Sequence, residues 1–539
     1  MINHPHPSFV TAALAAAGPL LLVAFGLLPA AWLDRRGVLA ARAGAAAALV
    51  ALGLALASAV RLAVVGPAEV PLASAGRFHF GVYLDNLSAL ALILVSFLLA
   101  VVARYSVHYL AGDPAQGRFM KWLCLTGASV LTVLLADNLV QFALAWSATS
   151  WSLHQLLLFY PDRTGAVLAA RKKFIISRAG DACLLAVIGL VHARFHTWDF
   201  SALFAAAGKL ADAGLPANDS AISAIGFLLV AGAMLKSAQF PFHSWLPDTM
   251  ETPTPVSALM HAGIINAGGY LIIRLHPLVT LSPAALTALA VFGAFTGLFA
   301  SLVMLTHASV KRALAFSTVA QMGFMMLECG LGAFSLAMLH LIAHSLYKAH
   351  AFLASGSTVK LARSAWVPVG RPRAHPLTLL AAFGLAALLL TAGARILGAD
   401  FHHEAGLPVL GCVLAMALGY GLWNLWAASL SLPLAAAGTV LSGGILGAYF
   451  GLHRLFEHLL GVNVWENSQL GSWPGTALLV ALLALFFLVL TVQTELPEWS
   501  QRPLFQRIYV HARNGFYFNT LANRAVTALW PVSRANAKP

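Results

Sequence analysis

Charged side chains are scarce in this sequence. Of its 539 residues only 9 % are Asp, Glu, Lys or Arg, whereas 60 % are hydrophobic. Soluble globular proteins carry about 25 % charged residues, so the composition excludes a soluble enzyme. The apolar residues instead form runs of about 20 residues, the length that crosses a bilayer as an α-helix. The sequence therefore predicts an all-α, polytopic membrane protein.

Cysteine is rare as well. The four cysteines lie in apolar segments, and none belongs to a CxxC pair. This pattern argues against a disulfide framework, a thiolate metal site or an iron–sulfur cluster. The sequence also lacks a P-loop, a GxGxxG motif after a strand and a CxxCH motif. We therefore expect no cofactor in this chain.

Hydropathy and helix breakers predict about fifteen transmembrane spans. They lie near residues 9–31, 38–60, 84–105, 119–136, 138–159, 173–193, 220–240, 254–274, 284–306, 309–330, 333–359, 377–397, 406–428, 432–453 and 474–494. Most Lys and Arg residues follow odd-numbered spans, as Arg171, Lys172 and Lys173 do, or lie in the C-terminal tail. By the positive-inside rule, this distribution predicts a cell inner membrane protein with its N-terminus outside and its C-terminus in the cytoplasm.

The spans divide the chain into four predicted regions. N-terminal spans occupy 1–75, an ion-conducting core 76–360, C-terminal spans 361–495 and a tail 496–539. The tail interleaves basic and aromatic residues, which predicts an amphipathic helix on the cytoplasmic leaflet. A docking surface for a cytoplasmic partner is the alternative interpretation of the same pattern.

Two lysines, Lys236 and Lys348, fall inside predicted spans. A charge in the membrane is costly, and the usual reason for keeping one is an ion or proton pathway. Pro241 follows Lys236 by five residues and has no N–H, so the carbonyl of Ser237 loses its helical donor. The sequence therefore predicts a broken helix beside a buried amine, a common form of ion site in membrane proteins.

Three histidines accompany these lysines. His340, His344 and Lys348 are four residues apart, so they form one stripe on a helix. Two histidines at this spacing can bind zinc, but no HExxH glutamate or third ligand accompanies them, and a proton pathway fits the stripe better. His261 lies in the span after Pro241. It either relays protons to Lys236 through water or is satisfied by a backbone carbonyl.

Few carboxylates lie near the spans. Asp181 follows Arg178 by three residues, which predicts an ion pair within one helix. Asp137 lies between two spans, where it either caps a helix or influences a neighbouring lysine. The sequence leaves open which acid meets which base.

Five segments carry a resemblance to a known family. They are LADNLVQFALAW (135–146), RKKFIISRAGD (171–181), KSAQFPFHSWLPDTMETPTPVSALMHAG (236–263), HASVKRALAFSTVAQMGFM (307–325) and HSLYKAHAFLASGS (344–357). They resemble the antiporter-like membrane subunits of respiratory complex I and of Mrp-type sodium/proton antiporters. The resemblance implies that Lys236, His261 and Lys348 belong to a row of protonatable groups that water joins at mid-membrane.

The sequence departs from this family in three respects. Ser147 stands where the family has a glutamate that pairs with the broken-helix lysine. The span at 377–397 contains no proline and no charge comparable to the family's exit group before Arg395. We also expect no counterpart of the long lateral helix of complex I.

A narrower resemblance accounts for these departures. WSLHQLLLFYPDR (151–163), His261 with Asn266 in MHAGIINAGGYL, and YVHARNGFYFNTL (509–521) resemble the membrane subunit of the DAB inorganic carbon accumulation system. The resemblance implies a transport subunit that works with DabA, a zinc-bearing cytoplasmic subunit similar to β-carbonic anhydrases. It further implies that protons or sodium ions flow through this chain and drive CO2 hydration to bicarbonate in that partner.

Two other functions remain open from the sequence. One is a subunit of complex I or a stand-alone cation/proton antiporter, against which the three departures count. The other is a passive membrane anchor for a soluble enzyme. An anchor does not need lysines inside its spans, so Lys236 and Lys348 count against that function.

Overall fold

The computed structural model describes residues 7–75, 78–213, 219–356, 376–397, 406–428, 431–460, 473–499 and 501–531. Twelve helices in these ranges are long and apolar enough to cross a membrane. They confirm a polytopic helical protein, whereas the count of fifteen spans stays a prediction. The start of the predicted region 361–495 and the last residues of the tail, 532–539, lie outside the described residues.

The first half of the described chain contains nine helices and two strands. The helices are α1 (Pro7–Gly26), α2 (Ala30–Arg35), α3 (Gly37–Val65), α4 (Asn86–Tyr109), α5 (Gln116–Leu135), α6 (Leu139–Leu157), α7 (Thr164–Phe195), α8 (Phe200–Asp212) and α9 (Ser220–Lys236). The strands are β1 (Ala68–Ala75) and β2 (Phe78–Leu84).

The second half of the described chain is helical. Its helices are α10 (Thr254–Ala262), α11 (Ala267–Arg274), α12 (His276–Val279), α13 (Pro283–Met304), α14 (Val310–Gly330), α15 (Phe334–Leu353), α16 (Pro376–Leu397), α17 (Gly406–Ala428), α18 (Leu432–Leu460), α19 (Trp473–Trp499), α20 (Pro503–Arg513) and α21 (Phe518–Leu529). Three short 3-10 turns lie at Pro247–Glu251, Ile264–Asn266 and Gly515–Tyr517.

The two strands add a feature to the predicted all-α fold. β1 and β2 form an antiparallel hairpin whose register runs from Ala68 opposite Leu84 to Ala75 opposite Phe78. Gln141 at the start of α6 holds β2, because its side-chain amide exchanges two 3.0 Å hydrogen bonds with the backbone of Gly81. The strands are eight and seven residues long, far shorter than the apolar runs from which spans are predicted, which is why the sequence analysis does not detect the hairpin.

The predicted break beside Lys236 is confirmed. Helix α9 ends at Lys236, and Ala238 follows with a φ of 48°. The carbonyl of Ser237, which Pro241 leaves without its helical donor, accepts a 2.9 Å hydrogen bond from the side chain of Gln239. A side chain therefore satisfies the backbone group that the broken helix leaves unpaired inside the protein.

The next span is interrupted as well, which the sequence analysis does not anticipate. α10 ends at Ala262, Gly263 leaves the helix, and one 3-10 turn leads into α11. His261 lies just before the interruption and Asn266 lies in the turn. One continuous apolar core extends from α1 to α15 around both breaks.

Candidate ion pathway

Lys236 lies at the C-terminal end of α9 and is only 6 % exposed. Its Nζ donates a hydrogen bond to Ser150 Oγ at 2.9 Å and lies 4.2 Å from the centroid of the Trp146 ring. Both partners belong to α6. The hydroxyl and the aromatic face replace part of the hydration that a buried ammonium loses. Among the described residues, no carboxylate forms a direct ion pair with Lys236.

A second buried lysine lies next to Lys236. The sequence predicts Lys173 in a connector, but this residue is on α7, is 3 % exposed, and donates to the carbonyl of Ser150 at 2.7 Å. Ser150 therefore contacts both ammonium groups. Lys173 shares the buried face of α7 with Ser177 and Gly180, so the helical period is the pattern that would have revealed it.

Asp181 supplies acidic charge where α6 has none. Ser147, the position at which the resemblance implies a missing glutamate, lies beside the Asp181 carboxylate. Asp181 also forms the expected ion pair with Arg178, with 2.8 Å between Nη2 and Oδ2. Its charge acts on Lys236 across the interface between α7 and α9. The carboxylate nearest the broken-helix lysine thus lies on α7 rather than on α6.

A cavity of about 40 Å³ connects Lys236 with the interruption between α10 and α11. Gly263, Asn266 and Ser345 contribute to its lining. Asn266 Nδ2 donates to Ser345 Oγ at 2.7 Å and to the carbonyl of Ala262 at 2.8 Å. One water needs about 10–15 Å³ of such volume, so the cavity has room for about three. Most of the lining is apolar, and Lys236, Asn266 and Ser345 are among the few polar side chains that water in this cavity would contact.

His261 lies in the last turn of α10, just before the interruption, and is fully buried. Its Nδ1 lies 3.1 Å from Thr318 Oγ1, and its ring stacks on Phe352 with 4.3 Å between centroids. The partner is thus a hydroxyl group rather than a backbone carbonyl. Among the described residues Nε2 has no hydrogen-bond partner, and the charge of Lys348 acts on the ring.

The stripe on α15 extends this row. Lys348 is completely buried, and its Nζ donates to the carbonyl of Leu314 at 3.1 Å. His344 lies between His340 and Lys348, and neither of its ring nitrogens has a hydrogen-bond partner in the described chain. His340 Nδ1 lies 2.9 Å from Glu328 Oε2. Within the described ranges, no group of three His, Cys, Asp or Glu side chains has an arrangement that holds a metal ion.

Asp137 does not join this row. It is buried beneath the β-hairpin, where its Oδ1 accepts from Asn138 Nδ2 at 2.7 Å and its Oδ2 lies 3.4 Å from His79 Nε2. The residue that caps α6 is Asn138, whose Oδ1 accepts from the backbone N–H of Gln141. The helix-cap alternative for Asp137 is therefore wrong. Burial raises the pKa of Asp137 to about 6.

Replacing Asp137 with Asn is expected to change the pH dependence of stability. A carboxyl group whose pKa is raised on folding stabilises the protein below its unfolded pKa of about 4, and this contribution is lost as pH rises through about 6. Asp137→Asn should therefore raise Tm by about 2 °C at pH 8 and leave it unchanged at pH 4. Thermal unfolding in detergent checks this, with the exposed residue Asp212→Asn as control. Equal shifts at both pH values would contradict the prediction.

The C-terminal tail packs on the helix bundle. Asn519 on α21 accepts a 2.6 Å hydrogen bond from Lys172 Nζ and donates a 3.0 Å hydrogen bond to Asp248 Oδ1. Lys172 also pairs directly with Asp248. Arg171 donates to the carbonyl of Trp530 at 2.8 Å. These contacts attach the tail to α7, while its location on a lipid leaflet stays a prediction.

Two family descriptions match the sequence. Residues 136–434 match "NADH:quinone oxidoreductase/Mrp antiporter, TM", and residues 72–120 match "NADH-Ubiquinone oxidoreductase (complex I), chain 5 N-terminus". The first match includes Lys173, Lys236, His261 and Lys348. The candidate pathway therefore lies within the part of the chain that carries the family pattern.

Two relatives are similar over most of the chain. The probable inorganic carbon transporter subunit DabB2 of Halothiobacillus neapolitanus is 39 % identical over 498 residues, which cover 88 % of this chain and 85 % of that protein. NADH-quinone oxidoreductase subunit L of Mycobacterium tuberculosis is 34 % identical over 448 residues, which cover 76 % of this chain and 70 % of that protein.

A solved structure shares the fold. The structure of the Mrp complex from Dietzia sp. DQ12-45-1b contains a chain with a TM-score of 0.63 and 24 % identity. The match covers 99 % of this chain and 60 % of that chain. At this identity the likeness establishes the fold alone, and it confirms the antiporter-like architecture.

Proposed function

Because this chain belongs to the NADH:quinone oxidoreductase/Mrp antiporter family and, within it, to the DabB-type subunits, we propose that it conducts the coupling cation of an inorganic carbon transporter. Protons or sodium ions pass down their gradient along the row that contains Lys236. The chain itself is a membrane subunit and not an enzyme. A cytoplasmic zinc-bearing partner of the DabA type uses this flow to hydrate CO2 to bicarbonate.

The observation that supports conduction is the continuity of the buried polar row. Lys173 and Lys236 meet at Ser150, and the cavity of about 40 Å³ leads from Lys236 to Asn266 and Ser345. From α15 the row continues through His344 to His340. Buried ionisable side chains of a membrane protein are costly, and a series of them indicates an ion path.

Repulsion between the two lysines provides a transfer step. Two ammonium groups that share Ser150 disfavour each other's charge in a medium of low dielectric constant. A proton that arrives at Lys173 therefore favours departure of the proton on Lys236 into the water-sized cavity. The negative charge of Asp181 attracts the next proton to Lys236, which returns the lysine to its protonated form.

The departures from the antiporter pattern fit a one-way device. An antiporter needs two gated half-channels, whereas a subunit that delivers a gradient to one partner needs a single route that ends at that partner. The chain has Ser147 in place of the family's glutamate and no exit charge before Arg395 in α16. Each departure removes one charged group from the antiporter route, which leaves a shorter route. We place the partner on the side of the C-terminal tail, which the positive-inside rule assigns to the cytoplasm.

Purification of the tagged full-length chain from native membranes tests this proposal. We expect mass spectrometry to find one large soluble partner and metal analysis to find zinc in the complex. CO2-dependent bicarbonate production by that complex in vesicles should require an imposed cation gradient. Co-purification of flavin and iron–sulfur subunits instead of a zinc protein would overturn the proposal.

A second candidate function is cation/proton antiport or a place in a respiratory complex. It is favoured by the 34 % identity to the NADH-quinone oxidoreductase subunit L of Mycobacterium tuberculosis. Everted vesicles that contain only this chain distinguish the two functions. Sodium-dependent proton movement without any effect of CO2 would establish the antiporter function.

A further inference from the structure

A large apolar cavity lies between the C-terminal tail and the membrane helices. Its volume is about 760 Å³, and its lining is mostly apolar side chains. α13, α19 and α20 form its walls, with Phe299, Leu302, Val489, Phe505 and Ile508 among the lining residues. Apolar cavities of this kind do not fill with ordered water, because water finds no hydrogen-bond partners there. The volume lies in the range of cavities that hold organic ligands.

A smaller polar cavity of about 160 Å³ lies beside the tail and is lined by cationic and polar groups. Arg312 at the start of α14 and Arg513 at the end of α20 contribute guanidinium groups. In the described part of the chain, neither forms an ion pair with a carboxylate. Asp248 also borders this cavity, but its charge is engaged by Lys172 and Asn519. The cavity therefore has an excess of positive charge.

Two histidines complete the wall of the polar cavity. His243 is 2 % exposed, and its Nδ1 has no hydrogen-bond partner among the described residues. His307 Nε2 is likewise buried without a partner in those ranges. Arg312 and Arg513 line the same cavity as His307, and burial together with their charges lowers the pKa of that histidine. Unpartnered buried ring nitrogens beside two arginines form a built site for an oxygen-rich anion.

Neighbouring residues of the chain line the two cavities at several places. Thr306 lines the apolar cavity and His307 the polar cavity, and Ala512 and Arg513 are divided in the same way. Phe240 faces the apolar side, and its ring stacks on that of His243. A single ligand with an anionic end and an apolar body therefore fits across this boundary.

We propose that an anionic phospholipid binds beneath the C-terminal tail, with its phosphate at Arg312 and Arg513 and its acyl chains in the apolar cavity. The lipid comes from the leaflet on the side of the tail. A free oxyanion such as phosphate or bicarbonate would fill only the polar cavity and leave the apolar one empty. Bound lipid joins α20 to α13 and α14 next to the Lys172–Asp248–Asn519 contacts, and so secures the tail on the bundle.

Native mass spectrometry of the purified full-length chain tests this site. Dioleoyl phosphatidylglycerol and dioleoyl phosphatidylcholine are added separately at equal concentrations, and retention of each lipid is measured. We expect the unmodified chain to prefer phosphatidylglycerol. In the double variant Arg312→Gln/Arg513→Gln this preference should decrease by about fivefold to thirtyfold, because each arginine near an anionic headgroup strengthens binding by about fivefold. The matched control Arg42→Gln/Arg104→Gln removes two exposed charges elsewhere and should keep the preference.

A second variant examines the apolar half of the site. Leu302→Trp fills part of the apolar cavity without a change of charge and should lower retention of phosphatidylglycerol. Equal retention of both lipids by the unmodified chain would overturn the proposal, as would an equal loss in the control double variant. Displacement of phosphatidylglycerol by millimolar inorganic phosphate, with no effect of Leu302→Trp, would assign the site to a free anion instead.

Discussion

Replacing Lys236 with methionine is expected to abolish cation-driven bicarbonate accumulation. The substitution keeps an unbranched side chain of similar length but removes the group that, in the proposed pathway, carries the proton between Lys173 and the cavity. No other titratable side chain contacts both Ser150 and the cavity among the described residues, so no parallel route replaces it. We expect uptake to fall at least about tenfold, to the level of cells without the complex.

The measurement is carbon accumulation in cells that express the complete complex, with membrane insertion checked by immunoblot. Lys209→Met is the matched control, because Lys209 is an exposed lysine on α8, outside every predicted span. Ser150→Ala should give an intermediate loss, since it removes one hydrogen bond to a charged group and leaves the lysine in place. Normal uptake by Lys236→Met in a correctly inserted complex would show that conduction does not pass through this residue.

Replacing Arg274 with methionine is expected to cause a large loss of stability. Arg274 is 3 % exposed and donates to both carboxylate oxygens of Asp85, at 2.7 and 3.0 Å. It also donates to the hydroxyl of Tyr270 at 3.0 Å. Loss of one partner of a buried ion pair costs about 3–5 kcal/mol, because the remaining charge is left uncompensated.

The pH dependence of this variant follows from Asp85. Burial opposes ionisation of Asp85, but the charge of Arg274 and hydrogen bonds from Ser88 outweigh it and lower the pKa of this carboxyl. A lowered pKa contributes stability above the unfolded value of about 4, and this contribution is lost as pH falls through the folded value. Arg274→Met should therefore lose most stability at neutral pH and come closer to the parent protein in acid.

Denaturant unfolding in detergent measures the free energy change. Arg194→Met is the matched control, because the Arg194 side chain is 37 % exposed in its 3.1 Å ion pair with Asp219. An exposed pair of this kind contributes less than about 1 kcal/mol. The double variant Arg274→Met/Asp85→Asn should recover part of the loss, since it removes the uncompensated charge. Equal losses of stability in Arg274→Met and Arg194→Met would contradict the conclusion that burial makes the Arg274–Asp85 pair the stronger one.

The broken helix was the site feature that the sequence predicted best. Pro241 removes a donor at a known distance from Lys236, so the consequence for the helix is local and follows from covalent structure. The interruption between α10 and α11 was missed because its glycines, such as Gly263, lie within an apolar run, and glycine is frequent in uninterrupted transmembrane helices.

Lys173 and Glu328 show what sequence reasoning did not find. Lys173 belongs to a cluster of basic residues that the positive-inside rule assigns to a connector, yet the long helix α7 carries it into the core beside Ser150. Glu328 has no neighbour in sequence that explains it, and its partner His340 lies on the next helix. Both contacts join different helices, and hydropathy contains no information about which faces of two helices meet.

The sequence by itself determined that the chain is a polytopic helical membrane protein, that α9 breaks at Lys236, and that ionisable groups lie within spans. These properties depend on composition, on the length of apolar runs and on one proline, all of which act locally. Only the tertiary structure decided that the carboxylate acting on Lys236 is Asp181 on α7 and not a residue of α6, that a cavity leads to Asn266, and that the tail packs against α7. Those arrangements depend on how helices distant in sequence pack together, because the charges, hydrogen bonds and cavities exist only between them.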